Sequence, residues 1–239
     1  MIKVPKNNKT LLTKRGYAIV KKRFDYKDIS NCKNELLVKP FVNNNYGVAA
    51  EAYPIFLESS KKLYLPKHYG IKHFGEPECV KLTKGHEIDL EFKGTLRPKQ
   101  IPVVKAFLYT CKYGPFINKS NGGIISVPCG WGKTIMALYI ISKLNRKTII
   151  IVHKEFLLNQ WRERINEFLP HARVGIIQGP KIDVNNKDIV LAMLQSISIK
   201  DYDSKIFKDF GFHIVDECHH IAAEVFSRSL PKINSYYSL

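Results

Sequence analysis

Val127-Pro128-Cys129-Gly130-Trp131-Gly132-Lys133-Thr134 is the stretch on which the reading of the chain turns. A β-branched run, Gly123–Val127, leads into it, and a strongly apolar helical pattern, Thr134–Leu144, leads out. Strand, turn and helix in that order are the setting of a phosphate-binding loop. Gly130 and Gly132 let the backbone curl around Trp131, so that successive N–H groups face phosphate oxygens at a helix N-terminus. Lys133 is then placed to hold the β- and γ-phosphates, and the Thr134 hydroxyl to ligate Mg²⁺. The strict G-x-x-x-x-G-K-[ST] spacing is broken, because Val127 stands where the first glycine would be. Alone, the loop still admits a purely structural turn.

Outward from the loop, helices alternate with unbroken apolar strands. Upstream, Lys99–Lys112 places Ile101, Val104, Phe107, Leu108 and Cys111 on one helical face, and Gly114-Pro115 ends it. Downstream, strand Thr148–Val152 precedes a helix over Glu155–Leu169, in which Leu157, Trp161, Ile165 and Phe168 are spaced for burial and Pro170 gives the stop. Further strands are predicted at Val174–Ile177, Ile189–Met193 and Phe212–Val215. Such a pattern specifies an α/β fold with a parallel sheet covered on both faces.

The last of these strands runs into Asp216-Glu217-Cys218-His219. In open α/β sheets ligands bind at the carboxyl ends of strands. Two adjacent carboxylates there suit divided labour, with Asp216 on the Mg²⁺ side and Glu217 orienting and deprotonating an attacking water. A phosphate loop and a carboxylate pair, in this order and on these element ends, indicate a nucleoside triphosphate site. A structural zinc is not expected, since neighbouring side chains on a strand end diverge and no second ligand pair occurs.

Composition narrows the partners. The 239 residues carry 38 Lys+Arg against 21 Asp+Glu, a net charge of +17, which favours a polyanion such as nucleic acid or an acidic membrane surface. Apolar runs such as Ile135–Ile141 fall far short of a bilayer span, so no membrane span is expected, and nucleic acid rather than a membrane is the expected partner. Five scattered cysteines, without a C-x-x-C pair, and an N-terminus lacking an apolar signal core point to a reducing, intracellular setting.

Residues 1–90 have a different grammar, with Asn, Pro and Gly punctuating short segments such as Leu36–Val38, Ile55–Leu57 and Leu63–Leu65. A small β-rich or α+β domain is expected there, followed by the P-loop domain over residues 91–239. The first 24 residues hold eight Lys/Arg and no acid, which suggests a mobile basic arm. Tyr46, Tyr53, Tyr64 and Tyr69 are candidates for stacking on bases or for filling a small core.

The motifs together resemble the first RecA-like lobe of a superfamily 2 helicase of the DECH type. Pro128–Thr134 is similar to that family's motif I, where the first glycine is commonly absent, and Asp216–His219 to its motif II. Leu96-Arg97-Pro98-Lys99-Gln100 resembles the segment ahead of motif I, which implies Arg97 and Gln100 near the adenine. Val152-His153-Lys154 with Gln160-Trp161 is similar to motif Ia, although His153-Lys154 replaces its usual Pro-Thr, and Leu194-Gln195-Ser196 looks like the next nucleic-acid motif. The resemblance therefore implies catalytic roles for Lys133, Asp216, Glu217 and His219, and strand contacts from His153, Lys154, Gln195 and Ser196. It is nearest the XPB-like branch and the helicases of large cytoplasmic DNA viruses, such as asfarviruses and poxviruses, and of bacteriophages.

It further implies ATP and Mg²⁺ as cofactors, nucleic acid as partner with DNA expected over RNA, and a role in viral DNA transcription, replication or repair. The expected location is the host cytoplasm or the virion if the protein is viral, and otherwise the nucleus. The family's Ser-Ala-Thr motif and second RecA-like lobe do not follow before Leu239, so this chain is expected to be an N-terminal domain plus first lobe, incomplete for turnover alone. Two other classes stay open on the sequence: a nucleic-acid-binding module with a vestigial nucleotide site, and a P-loop ATPase acting on protein assemblies.

Overall fold

The computed structural model describes residues 10–39, 52–112, 121–218 and 229–239. The chain divides into two compact units, Met1–Leu82 and Thr83–Leu239.

In the first unit, β1 (Leu11–Thr13) and β2 (Gly16–Val20) form a hairpin, and α1 (Tyr26–Glu35) follows. β3 (Leu37–Val38) pairs with β4 (Tyr53–Pro54), and β5 (Leu57–Glu58), β6 (Lys62–Leu65), α2 (Lys67–Phe74) and β7 (Cys79–Val80) complete the unit. The five-stranded sheet has the order β5-β6-β2-β1-β7. The expected basic arm is thus a built hairpin from Thr10 onward, because its alternating apolar residues Leu12, Tyr17 and Ile19 enter the core with Leu63, Leu65, Ile71 and Phe74. Of the tyrosines weighed for stacking, Tyr53 is buried, Tyr64 lies under the Arg15 guanidinium at 5.6 Å, and Tyr69 bonds Glu35 and stacks on His73. Tyr46 is outside the described residues.

Residues 83–90 belong to the second unit rather than the first. Thr83, His86 and Ile88 donate backbone N–H groups to Asn234, Asp209 and Asn145, and the Ile88 and Leu90 side chains enter the larger core. Their apolar side chains alternate with Glu87, Asp89 and Glu91, a period-two signal hidden among charges.

The second unit then contains α3 (Ile101–Lys112), α4 (Lys133–Leu144), β8 (Thr148–Val152), α5 (Glu155–Phe168), β9 (Val174–Gln178), β10 (Lys181–Asp183), β11 (Ile189–Met193), α6 (Leu194–Ile199), β12 (Phe212–Val215) and β13 (Tyr237–Ser238). Its sheet has the order β10-β9-β11-β8-β12-β13, parallel except for the β9–β10 hairpin. Every residue of β8 is buried, with Ile150 and Val152 in one core beside α3, α4 and α5, and Ile149 and Ile151 in the other with Ile197, Phe207 and Phe210. This is the RecA-like sheet covered on both faces. Ile101, expected on the buried face of α3, is exposed at the helix start.

The strand expected at 123–127 is not formed as a ladder. Gly122 bridges Ser238 and the Gly123 N–H bonds the Ser238 carbonyl, but beyond Gly123 no described strand lies alongside, and Ile124 is 79% exposed. Among the described residues no helix is long and apolar enough to cross a membrane.

In the first unit α2 approaches β2 so closely that a Cβ on Gly70 would lie 2.3 Å from Cγ of the fully buried Tyr17. Gly70→Ala should therefore destabilise the unit by about 1–3 kcal/mol through overpacking. The change should appear as lost amide hydrogen-exchange protection in β1, β2 and β6, with α4 and β8 unaffected.

Candidate nucleotide site

Register brings the motif residues to one edge. Met193 pairs with Val152, and Val215 with Ile151, so β8, β11 and β12 end together. His153, Leu194 and Asp216 are the next residues on these three strands.

The phosphate loop lies between Val127 and α4. Gly130 and Gly132 take φ values of +76° and +79°, in the left-handed region that side chains resist. A Cβ on Gly130 would meet nothing within 4 Å, so the loop is open on that side. Gly132 caps α4 without a side-chain hydrogen bond, and the helix has no acid in its first turn. The positive end of the helix dipole is thus left for an external anion. Lys133 and Thr134, both partly buried, begin the helix at this point.

Gln100 fixes the loop from below. It is 2% exposed, its Nε2 donates to the Trp131 carbonyl at 2.7 Å, and its Oε1 accepts from the Arg97 backbone N–H at 2.8 Å. The side chain expected beside the adenine therefore uses both ends of its amide to tie Arg97 to the loop, while the Arg97 side chain is exposed. Lys99 packs its ammonium over the Trp131 ring at 4.6 Å.

Opposite the loop stand the carboxylates. The Asp216 N–H bonds the Ile151 carbonyl at 3.0 Å, continuing the ladder one residue past β12. Glu217 turns out of the strand with φ +53° and brings Oε1 to 3.8 Å from Lys133 Nζ. The pair is partly exposed, so its own contribution to stability is small; its value is as a measure of proximity. It shows that the loop lysine and the second carboxylate share one site. The oxygen donors Thr134 and Asp216 are the hard ligands that suit Mg²⁺, and on this donor set the residues fit the ion.

The indole of Trp161 also enters the site, donating from Nε1 to Asp216 Oδ2 at 2.8 Å. The apolar spacing of α5 places Trp161 in the core, as the structure does, but passes over its ring nitrogen. The available signal was chemical: a buried indole N–H requires an acceptor.

The residues expected to grip a strand fall on the neighbouring strand ends. Gln195 Nε2 donates to the His153 carbonyl at 2.7 Å, joining the loops after β11 and β8. Ser196 Oγ accepts the Gly179 N–H at 2.9 Å, and Tyr202 holds the Gly179 carbonyl. Lys154 is exposed, with Nζ 6.0 Å from the ring of Phe156, itself 62% exposed. His219 lies outside the described residues.

Fold and site together define a RecA-like lobe of the superfamily 2 ATPase type. Residues 93–239 match the family model described as Type III restriction enzyme, res subunit. The chain belongs to that family, whose related members include helicases and translocases. It is 36% identical over 239 residues to the candidate ATP-dependent RNA helicase L396 of Acanthamoeba polyphaga mimivirus, covering 98% of this chain and 44% of that protein. It is 34% identical over 150 residues to the DNA 3'-5' translocase XPB2 of Sulfurisphaera tokodaii, covering 60% of this chain and 29% of the other. The chain thus spans less than half the length of these two relatives. Among solved structures, the UvsW helicase of bacteriophage T4 matches with a TM-score of 0.62 at 16% identity, over 97% of this chain and 90% of that one. The SWI2/SNF2 ATPase core of Sulfolobus solfataricus in complex with dsDNA matches at 0.51 and 20% identity, over 62% of this chain and 32% of that one. At these identities the two structures speak for the fold.

A Cβ at position 132 would lie 2.6 Å from Gln100 Nε2. Gly132→Ala should cost about 1–3 kcal/mol of stability, from backbone strain and from the lost bond to Trp131. Adding Gln100→Ala should recover the collision part of that cost, so the double variant should be more stable than the sum of the single effects allows, as read by denaturant unfolding.

Proposed function

We propose that this chain is the first lobe, with an accessory domain, of an ATP-driven nucleic-acid helicase or translocase. The observation that carries the reading is the approach of Lys133, at the end of the phosphate loop, to Glu217 just past β12. On this reading the loop N–H groups and Lys133 hold the triphosphate, Arg97 and the Gln100-bound segment flank the base, and Thr134 and Asp216 hold Mg²⁺. When bound, the ion neutralises charge on the β- and γ-phosphates.

Binding of the triphosphate gives Lys133 a stronger anionic partner and releases Glu217. The freed carboxylate then orients a water and accepts its proton as the water oxygen attacks the γ-phosphorus and the bond to the β-bridging oxygen breaks. A second lobe, supplied by the longer protein, would close on this one with ATP and reopen after hydrolysis, which is movement by population shift. His153, Lys154, Gln195 and Ser196 line the strand ends where phosphates of a nucleic-acid strand would be gripped without reading sequence. His219 is assigned to the same catalytic set through motif II.

DNA is the proposed substrate. The net charge of +17 supports a polyanion, and the name of the XPB2 relative and the dsDNA in the SWI2/SNF2 complex support DNA. The name of the mimivirus relative points instead to RNA. A role in viral DNA transcription, replication or repair is proposed on the viral relatives alone. The first unit, with 16 Lys+Arg and 7 Asp+Glu in residues 1–82, is proposed to add backbone contacts to the same nucleic acid.

Lys133→Ala should lower Mg-ATP affinity about 10- to 100-fold, the loss of a charge-assisted contact, as measured by calorimetry. Glu217→Gln, in a protein that includes the second lobe, should bind ATP and fail to hydrolyse it. Binding to matched tailed DNA and RNA duplexes across a salt series should show tighter DNA binding with a steep salt slope. A preference for RNA would overturn the substrate assignment, and unaltered ATP affinity in Lys133→Ala would overturn the site.

A further inference from the structure

Among the buried residues of α5, Leu158, Trp161 and Ile165, Trp161 alone carries a side-chain hydrogen-bond donor. A tryptophan that merely fills a core beneath a sheet edge can give its N–H to any nearby carbonyl. This one gives it to a carboxylate, Asp216 Oδ2, at 2.8 Å. The indole is 3% exposed, so water does not compete effectively for the bond. Asp216 is held a second time through its backbone N–H, on the Ile151 carbonyl at 3.0 Å. A side chain one residue past the end of a strand would otherwise turn about both of its single bonds. With backbone and Oδ2 each anchored, that rotation is stopped and Oδ1 is the oxygen left for a ligand.

We propose that Trp161 is a positioning residue for the metal-binding carboxylate: its indole N–H holds Asp216 in one orientation, so that Oδ1 is ready for the Mg²⁺ that accompanies nucleotide. The inference rests on the nucleotide-site reading above. It assigns to α5 a task besides burial, since the helix that packs against α4 and β11 also sets the direction of the carboxylate facing the loop. Partners that orient a metal's direct ligands contribute to metal affinity about as much as 10- to 100-fold.

The test uses two replacements in the 239-residue chain. Trp161→Phe removes the donor and some volume. Site-specific incorporation of 3-benzothienylalanine at position 161 removes the donor and keeps the shape of the ring system, which guards against a variant that fails to fold. ADP binding is followed by calorimetry, first in EDTA and then across a Mg²⁺ titration.

The proposal expects metal-free ADP affinity to stay as in the unmodified chain, while the Mg²⁺ concentration for half-maximal tightening rises about tenfold in both variants. In an Asp216→Asn background the same replacements should change nothing further, because the group they position is then a neutral carboxamide and not a carboxylate. An unchanged Mg²⁺ midpoint in the benzothienyl variant would overturn the proposal. So would an equal loss of metal-free and metal-dependent binding, which is what damaged packing would give. If the unmodified chain binds ADP with no response to Mg²⁺, the nucleotide-site reading itself fails, and the role of Trp161 falls with it.

Discussion

The parallel ladder joining β8 to β11 and β12 is the constraint on which the candidate site depends. Parallel pairing fixes not only which strands are neighbours but where each one stops relative to the next. Because Val152 faces Met193 and Ile151 faces Val215, three chain segments leave the sheet at one edge. The ladder is held by burial on both faces, with alternate residues of β8 committed to two separate cores. A slip of one residue would exchange those cores and move His153, Gln195 and Asp216 out of alignment together. Contacts such as Gln195 to the His153 carbonyl are consequences of that alignment, not its cause.

The phosphate loop is a tight curl held from outside. Two glycines in the left-handed region supply its curvature, and a fully buried glutamine amide ties it to the segment before α3. Its electrostatics are unbalanced when considered alone. A lysine begins α4 at the end where the helix dipole is already positive, and no acid in the first turn offsets it. Glu217, itself in a left-handed backbone conformation, is the nearest compensation at 3.8 Å. An anion in the curl would meet the same unbalanced field more directly, so this charge distribution favours a phosphate.

Much of the second unit was legible because its apolar runs are long and its breakers sharp. Strands over 148–152, 189–193 and 212–215 have the bounds read from the sequence, and the helices after the loop and after β8 differ by one residue at an end. The misreadings came from weaker or non-local signals. Residues 123–127 look like a strand by β-branched content, yet a ladder needs a neighbour, and pairing stops at Gly123. The basic residues at the start of the chain mask the alternation of Leu12, Tyr17 and Ile19, which builds a hairpin. The bond from Gln100 to the loop carbonyl of Trp131 spans 31 residues, and no local pattern encodes it. Trp161 was read for its bulk and not for its nitrogen.

The chain has two tryptophans, one whose carbonyl is held beneath the phosphate loop and one whose ring is bonded to the carboxylate opposite. Their placement gives the molecule a specific optical property. Light at the red edge of protein absorption is taken up by these two rings and essentially nowhere else. One ring has a lysine ammonium over its face and the other an aspartate at its edge, nearby charges whose fields weaken with distance and shift indole emission according to their sign and direction. The intrinsic fluorescence of the whole chain is therefore a local signal, generated around the candidate nucleotide site.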